Sequence, residues 1–224
     1  MIDKRCSAEK AIERIVDGST IMVGGSMALG APEQLIDALV RKGVRNLTVI
    51  CNDGGVPGRG TSKLIKAGLV SHLITTHVGL NPEVTEQCNE GKLKVTLIPQ
   101  GTFAERIRAG AAGLGGILTP TGLGTVVEEG KQIIEVEGKR YLLEIPLRAE
   151  VALIRGSVVD DMGNIQYYGT TNNWNSLMAG AADFVAVTAR KVVPRGQIDP
   201  HLVMTPGIFI DAIVEGEVPW DQVK

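Results

Sequence analysis

The sequence predicts an α/β fold: an open, mostly parallel sheet with helices on both faces, plus a C-terminal β-hairpin region. Three observations predict it. A unit of apolar strand, glycine-bearing loop and helix occurs four times in succession before residue 111, which is typical of a parallel sheet. Glycine makes up 28 of 224 residues, above the usual share of roughly 7%, as expected where strands turn tightly into helices. Aromatic residues make up only 4% of the chain, so the core must be aliphatic.

Local signals place the elements of the first half. The predicted strands cover residues 19–23, 46–50, 70–75 and 95–98, where apolar and β-branched residues cluster. Helix boundaries follow from capping residues and terminal glycines. The predicted helices cover 7–16 with Ser7 as cap, 32–42 ended by Gly43, 61–67 capped by Thr61 or Ser62, 82–90 after Asn81, and 102–110.

Parallel strands bind ligands at their carboxyl ends. The loops at 24–30, 51–55, 76–80 and 100–101 each follow one of the four strands. We therefore expect these four loops to lie together at one edge of the sheet.

The stretch 95–125 is the most informative. Its strand ends before Pro99, and Thr102 and Glu105 have the spacing of a capping box, which predicts a helix starting at Thr102. In that helix Phe103 and Ile107 share a buried face, with Arg106 and Arg108 turned away, and Gly110 is a natural stop. The segment that follows is too glycine-rich for a helix or an ordinary strand.

A strand that turns tightly into a helix directs free N–H groups and the positive helix end at the space above the turn. Gln100 lies at this corner and carries both a donor and an acceptor. An anion, or a carbonyl oxygen that becomes one, would be stabilised there. The residues also allow a simpler interpretation, in which Gln100 is only a polar turn residue and the glycines only permit sharp loops.

The second half has a different character. Residues 131–145 predict a hairpin with Glu137 and Gly138 at its turn. Further strands are predicted at 150–154 and 184–188, with a helix at 172–181 between them, and residues 206–211 close the fold. Asp160 and Asp161 stand in an Asp/Gly/Asn turn, where carboxylates are usually solvated. With no repeat or linker in the sequence, we expect one domain over residues 1–224.

Composition excludes several classes of function. A net charge of −2 and a pI near 6.0 give no electrostatic reason to bind nucleic acid or an acidic membrane. The three cysteines lack Cys-x-x-Cys spacing and the three histidines form no metal motif, so we expect buried, inert thiols and no metal. The N-terminal residues lack a leader pattern and no run of 18 apolar residues occurs, which favours a cytoplasmic protein.

One alternative for the first loop is a dinucleotide site, with Gly24–Gly30 at the phosphates and Asp53 as the ribose-binding acid. The predicted topology suits it. The glycine spacing does not, because G-G-x-x-x-x-G differs from G-x-G-x-x-G, and Asp53 lies beyond the expected ~20 residues.

The other interpretation rests on motifs along nearly the whole chain. These are DGSTIMVGGSMALGAP at 17–32, HVGLNP at 77–82, PQGTFAERIRAG at 99–110, LTPTGLGT at 118–125, EEGK at 128–131 and TPGIFID at 205–211. In this order they resemble the family I coenzyme A transferases, and most closely the α subunit of bacterial enzymes for short-chain acids such as acetate, butyrate and acetoacetate. Ser26 departs from the family pattern, which usually has Phe there.

The resemblance implies a ping-pong transfer in which a glutamate takes coenzyme A (CoA) from the acyl-CoA as a thioester and passes it to an acid. In this family the glutamate belongs to a Ser-Glu-Asn-Gly-like motif of the β half. No such motif occurs here, and Glu128, Glu129 and Glu144 stand in unlike contexts. The resemblance therefore implies half an enzyme, completed by a β subunit in an α2β2 or larger assembly. CoA is then a substrate, with no permanently bound cofactor.

Site residues follow from the same resemblance. Gln100 would stabilise the oxyanion at the thioester carbonyl, and Asn52 and Gly101 would bind substrate. The loop assigned to CoA comprises Gly24, Gly25, Ser26, Met27, Ala28, Leu29 and Gly30. A non-catalytic paralogue that keeps the fold as an interaction scaffold remains as an alternative, because fold does not imply function.

Overall fold

A computed structural model describes residues 3–216, and the ends of the predicted 1–224 domain, residues 1–2 and 217–224, lie outside it. The helices are α1 Ala8–Ala11, α2 Glu33–Lys42, α3 Ser62–Lys66, α4 Pro82–Asn89, α5 Gln100–Ala111 and α6 Trp174–Met178. The strands are β1 Thr20–Val23, β2 Leu47–Ile50, β3 Val70–Thr75, β4 Lys94–Leu97, β5 Ile117–Thr119, β6 Ile133–Val136, β7 Lys139–Glu144, β8 Ala149–Asp160, β9 Ile165–Gln166, β10 Ala182–Val193 and β11 Ala212–Glu215.

The main sheet has the strand order β11-β10-β8-β1-β2-β3-β4, and every neighbouring pair in this path is parallel. The short β9 joins it antiparallel to β8. On either side of β1, Met22 is in register with Ile50 of β2 and Val23 with Leu153 of β8. The predicted open, mostly parallel sheet is confirmed.

Helices cover both faces of this sheet, as expected. One core cluster contains buried residues of the first four helices, including Ala8, Leu35, Leu64 and Val84. The cluster on the other face includes Phe103 and residues of α6. Phe103 also meets Trp174 edge to face, with ring centroids 5.1 Å apart, a favoured aromatic geometry. Aliphatic side chains make up almost all of both clusters, in keeping with the composition.

A separate three-stranded antiparallel sheet, β5-β7-β6, contains the predicted hairpin. Glu137 and Gly138 both have positive φ at its turn, at 51° and 73°, as a two-residue type I′ turn requires. β5 lies in the glycine-rich segment after Gly110, where no ordinary strand was expected, so that expectation is wrong.

An ion-pair cluster fastens α5 to this small sheet. Arg106 was expected to point away from the core, yet its side chain is only 17% exposed and pairs with Glu144 at 3.5 Å. Glu144 is 2% exposed and also binds Lys131. Burial lowers the pKa of Arg106, and the charge of Glu144 opposes that change.

Several predicted boundaries are wrong because distant contacts override local signals. α1 ends at Ala11 rather than at residue 16, although Ser7 caps it as expected. α3 begins at Ser62 without a side-chain cap from Thr61, and Ser62 Oγ instead accepts the Gly58 N–H and donates to Glu83. Gly110 does not end α5: it lies inside the helix where a Cβ would stand 2.2 Å from the carbonyl oxygen of Leu147.

The second half contains longer strands than its local patterns indicated. β8 and β10 each span twelve residues, because they pair with each other along almost their whole length. The segment 206–211 leads into β11, which was not predicted. The turn at Asp160 is not solvated: this residue is 3% exposed, and its carboxylate accepts the N–H groups of Met162 and Asn164.

The three cysteines differ in how far they are exposed to solvent. Cys51 is buried, as expected; burial and then the nearby charge of Asp53 raise the pKa of its thiol to about 12. Cys6 is half-buried. Cys88 is exposed, contrary to expectation, because α4 turns that position outward. Across residues 3–216 no helix is long and apolar enough to cross a membrane.

Candidate active site

The four predicted loops meet at one edge of the main sheet. Met27 N–H donates to Asp53 Oδ2 at 2.8 Å, joining the loops after β1 and β2. Thr76, after β3, donates its N–H and hydroxyl to the carbonyl oxygen of Asn52 at 3.1 and 2.8 Å. Gln100, after β4, reaches Asn52 as well. The expected convergence is confirmed, and Asn52 lies at its centre.

The loop after β1 is a tight turn. Ser26 and Leu29 exchange two backbone hydrogen bonds of 3.0 and 2.9 Å. Between them Met27 and Ala28 have φ of 49° and 65°. These values lie in the left-handed region, which residues other than glycine, asparagine and aspartate rarely adopt. Ala28 is buried, whereas Met27 is 48% exposed. The surrounding contacts hold this strained backbone, which presents Met27 at the edge of the sheet.

Gly24 is required by a contact from the far end of the sequence. A Cβ at Gly24 would stand 1.9 Å from Asn175 Oδ1, so no other residue fits. Asn175 is fully buried. Its Oδ1 accepts the Arg155 N–H at 2.9 Å, and its Nδ2 donates to the carbonyl oxygens of Gly30 and Thr171 at 3.0 Å each. This asparagine thus ties the loop to β8.

Asp53 anchors the same loop to its neighbour. Its Oδ2 accepts from Met27 N–H and from Asn52 Nδ2, each at 2.8 Å, and its Oδ1 accepts from Gly55 N–H at 2.9 Å. Asp53 is 5% exposed. Both carboxylate oxygens are therefore used inside the protein, which leaves no role for this acid at a ribose.

Gln100 is the first residue of α5 and, contrary to expectation, does not lie in a turn before the helix. α5 starts at Gln100, not at Thr102, because Pro99 has non-helical backbone angles and its carbonyl accepts the Phe103 N–H at 2.8 Å, the first bond of the helix. Thr102 does not cap: its hydroxyl is buried with no partner among the described residues. Gln100 and Gly101 thus form the first turn, whose N–H groups have no side-chain acceptor from the capping residue.

Gln100 is exposed, and its amide is oriented by a buried neighbour. Its Nε2 donates to Asn52 Oδ1 at 2.9 Å. Asn52 is 1% exposed and is itself fixed by Asp53 and by Ser26 Oγ, to which it donates at 3.1 Å. An amide nitrogen has two hydrogens, so one N–H of Gln100 is held by Asn52 while the other is available to a ligand.

Several residues of this edge were missed by sequence reasoning. Asn175 of α6 and Asn173, which caps α6, hold the loop after β1, Asn173 through its Nδ2 to the carbonyl oxygen of Leu29 at 2.9 Å. Thr76 and His77 lie beside Asn52, with Thr76 Oγ1 2.9 Å from His77 Nδ1. The only sequence signal was the group of asparagines at 172, 173 and 175, at the start of the predicted helix, where asparagine commonly acts as a cap.

Glu128 and Glu144, two of the glutamates considered in the sequence, are engaged elsewhere. Glu144 is bound by Lys131 and Arg106, and Glu128 accepts the Gly124 N–H and pairs with Arg140. Neither lies among the loops around Asn52. Among the described residues, no group of three His, Cys, Asp or Glu side chains is arranged to hold a metal ion.

Comparison with known proteins decides the family. A family profile described as coenzyme A transferase matches residues 5–216. The chain belongs to the coenzyme A transferase family. It is 49% identical over 198 residues to the acetate CoA-transferase subunit alpha of Escherichia coli, covering 88% of this chain and 90% of that one. It is also 49% identical over 199 residues to the acetoacetyl-CoA:acetate/butyrate CoA transferase alpha subunit of Clostridium acetobutylicum, covering 89% and 91%.

Solved structures agree with this assignment. An Escherichia coli acyl-CoA transferase, solved as a thioester complex with CoA, superposes with a TM-score of 0.85 at 26% identity. The match covers 95% of this chain but 47% of that one, so this CoA transferase subunit spans about half the length of that enzyme. Glutaconate CoA-transferase from Acidaminococcus fermentans has the same fold, with a TM-score of 0.81 at 19% identity over 95% of this chain and 75% of that one.

The predicted CoA-transferase α subunit is confirmed at the level of the family, and with it the predicted enzyme class. The dinucleotide-binding alternative is not supported, because the family match covers residues 5–216 and both carboxylate oxygens of Asp53 are hydrogen-bonded within the protein. The assignment of individual site residues, the single domain over 1–224 and the cytoplasmic location stay predictions.

Proposed function

We propose that this α subunit, together with a β subunit, moves CoA between a short-chain acyl-CoA and a free acid such as acetate, butyrate or acetoacetate. The relatives at 49% identity are α subunits named for acetate, butyrate and acetoacetyl-CoA. The chain has about half the length of the acyl-CoA transferase that it resembles in structure. Both facts support a two-chain enzyme, whose stoichiometry we expect to be α2β2 or larger.

The proposed chemistry is covalent. A glutamate carboxylate of the β subunit attacks the thioester carbonyl, and the C–S bond breaks to release the CoA thiolate. The thiolate then attacks the glutamyl carbonyl and releases the first acid, leaving CoA as a glutamyl thioester. The acceptor acid reverses these steps. Each attack places negative charge on a carbonyl oxygen, and that charge is what this chain would stabilise.

One observation carries the proposal: the exposed amide of Gln100, at the first turn of α5, is oriented by the buried Asn52 at 2.9 Å. An oxyanion donor must be held in place before the charge develops. The free N–H of Gln100 meets this requirement, and the positive end of the α5 dipole adds to it. We assign the oxyanion role to Gln100, with Gly101 beside it in the same turn and Asn52 positioning its amide.

The loop from Gly24 to Gly30 has the character of a backbone cradle for CoA. Gly25 has φ of 113° and Gly30 has φ of 72°. Because these glycines have no side chain, the backbone of the loop can approach a ligand closely. Asp53 accepts a hydrogen bond from this loop, and Asn173 and Asn175 donate hydrogen bonds to it, so its shape is fixed in advance. A preorganised loop loses little entropy when a ligand binds.

The location of the covalent intermediate provides the test. The assembled complex is treated with borohydride, which reduces a glutamyl thioester to an alcohol, with and without acyl-CoA. We expect an acyl-CoA-dependent mass change on a glutamate of the β subunit and an unchanged mass for this chain by peptide mass spectrometry. A CoA-dependent change on any glutamate of this chain would overturn the division of roles.

The isolated chain supplies the second arm of the test. Without its partner it lacks the nucleophile, so we expect no CoA transfer until the β subunit is added. Turnover by the mass-verified chain alone would refute the two-chain enzyme. A reconstituted complex with no transfer activity on any short-chain acyl-CoA would instead favour the non-catalytic scaffold.

A further inference from the structure

A chain of hydrogen bonds leads from the Gln100 amide back to the loop after β3. Gln100 Nε2 donates to Asn52 Oδ1 at 2.9 Å. The hydroxyl oxygen of Thr76 lies 2.8 Å from the backbone carbonyl oxygen of Asn52 and 3.3 Å from its Oδ1. His77 Nδ1 lies 2.9 Å from the same hydroxyl oxygen. The proposed chemistry uses Gln100 and Asn52 but gives no role to Thr76 or His77.

The contacts of Asn52 fix which way its amide points. Its Nδ2 donates to Asp53 Oδ2 at 2.8 Å and to Ser26 Oγ at 3.1 Å. An ionised carboxylate can only accept hydrogen bonds, so the amide nitrogen must lie on the side of Asp53. The amide oxygen therefore lies on the side of Gln100 and Thr76. Asn52 thus presents only acceptor oxygens, one from its side chain and one from its backbone, to the Thr76 hydroxyl.

The hydrogen positions along the chain follow from this arrangement. Two oxygens 2.8 Å apart repel unless a hydrogen lies between them, so the Thr76 hydroxyl donates its single hydrogen to Asn52. The hydroxyl then has only lone pairs left for His77. His77 Nδ1 must therefore carry a hydrogen and donate it to Thr76. The geometry defines one direction for the whole chain, from His77 through Thr76 to Asn52.

The surroundings keep this chain rigid. Asn52 is 1% exposed, and Thr76 and His77 are half-buried. The backbone N–H of Thr76 also donates to the carbonyl oxygen of Asn52, at 3.1 Å. Asp53 and His77 form an isolated parallel bridge, so the loops after β2 and β3 run side by side. Successive hydrogen bonds polarise one another, and a donor that is oriented in advance needs no reorganisation during the reaction.

We propose that His77 is a positioning residue for CoA transfer, which acts through Thr76 and Asn52 on the amide of Gln100. The proposal rests on the proposed function, because it takes Gln100 as the oxyanion donor. The Nδ1–H of His77 directs the Thr76 hydroxyl onto Asn52. Asn52 is thereby held with its Oδ1 towards Gln100, and the second N–H of Gln100 stays aimed at the oxyanion. His77 itself does not contact the reacting atoms.

Two substitutions of His77 distinguish its ring nitrogens. The amide nitrogen of asparagine is bonded to Cγ, as Nδ1 of histidine is, whereas the amide nitrogen of glutamine lies one atom further out. In the assembled complex we expect His77→Asn to retain kcat. His77→Gln should lower kcat about five- to tenfold, as expected for one lost hydrogen bond, with KM for acyl-CoA unaltered. Equal losses in both variants, or a change in KM alone, would overturn the proposal.

The hydroxyl of Thr76 is tested in the same way. Thr76→Ser keeps the hydroxyl and should retain kcat, whereas Thr76→Val keeps the shape and should lower kcat as much as His77→Gln. His72→Gln is the matched control, because His72 also contacts a threonine hydroxyl, that of Thr96 at 2.8 Å, but on β3 and β4, away from Asn52. This control should leave kcat and KM unchanged. A loss of kcat in Thr76→Ser equal to that in Thr76→Val would contradict the role of the hydroxyl.

A double-mutant cycle shows whether His77 acts through Gln100. In a Gln100→Ala background no amide remains to be oriented, so His77→Gln should have almost no further effect on the rate of transfer. Residues of one hydrogen-bond network are coupled in this way. If the two losses multiply instead, His77 acts independently of Gln100 and the proposal is wrong. Circular dichroism and size-exclusion chromatography of each variant confirm that the complex is folded and assembled.

Nuclear magnetic resonance tests the hydrogen-bond chain without turnover. The chain has three histidines, His72, His77 and His201, so the signals of His77 are identified by their loss in His77→Asn. In the complex, with this subunit labelled at the histidine ring nitrogens, we expect a hydrogen on Nδ1 of His77 and a shift of its signal in Thr76→Val. An active complex whose Nδ1 carries no hydrogen would refute the role of His77 alone. A complex with the hydrogen on Nδ1 but no CoA transfer would refute the proposed function.

Discussion

Replacing Gly24 by alanine places a methyl group where Asn175 already stands. The added Cβ would lie 1.9 Å from Asn175 Oδ1 and 2.8 Å from its Cγ. Asn175 cannot move away freely, because it is fully buried and its amide binds the Arg155 N–H and the carbonyl oxygens of Gly30 and Thr171. Either the asparagine loses some of these bonds or β1 shifts against β8.

The cost follows from both effects. Overpacking a rigid site costs roughly 1–3 kcal/mol, and one lost buried hydrogen bond adds about 1 kcal/mol. We expect Gly24→Ala to lower the free energy of unfolding by about 3 kcal/mol, which for a chain of this size lowers Tm by roughly 6–12 °C. Urea unfolding followed by circular dichroism measures the free energy, and calorimetry measures the Tm.

A matched glycine and a double mutant make the reasoning refutable. Gly115 has open space where a Cβ would go and no positive φ, so Gly115→Ala should change stability by less than about 0.5 kcal/mol. Asn175→Ala removes the clashing atoms, so Gly24→Ala should cost at least 1 kcal/mol less in that background, within the usual range of coupling energies. If the two costs simply add, the steric account of Gly24 is wrong.

Three further predictions concern the site and its surroundings. Gln100→Ala should slow transfer by about a hundred- to a thousandfold, or roughly 3–4 kcal/mol, with an unchanged circular dichroism spectrum; an unaltered kcat in the complex would remove this side chain from the mechanism. NAD and NADP should not bind, because Asp53 is fully hydrogen-bonded; micromolar affinity by calorimetry would contradict this. Iodoacetamide at about pH 8 should alkylate the exposed Cys88, while burial and a pKa near 12 keep Cys51 unmodified until the protein unfolds; mass spectrometry of peptides reads out both.

Sequence reasoning succeeded where the controlling interaction is local. Asn81 caps α4 through the Glu83 N–H, two residues away, and the hairpin turns at Glu137 and Gly138 because those two residues adopt positive φ. The four strand-loop-helix units follow from apolar periodicity over a few residues. Because these strands are parallel, the four loops must share one edge of the sheet. The sequence could therefore predict where the site lies, but not which side chains contact each other there.

Tertiary structure decided everything that depends on residues far apart in the chain. Position 24 requires a glycine because Asn175 packs against it. Position 110 of α5 requires one because the carbonyl oxygen of Leu147 packs against it. Asp160 is buried and its carboxylate accepts backbone N–H groups, although the composition of its turn predicts a solvated carboxylate. By itself the sequence determined the order of the elements and the edge where they meet. Packing determined which side chains meet there, because a close contact requires only proximity in space and leaves no local pattern along the chain.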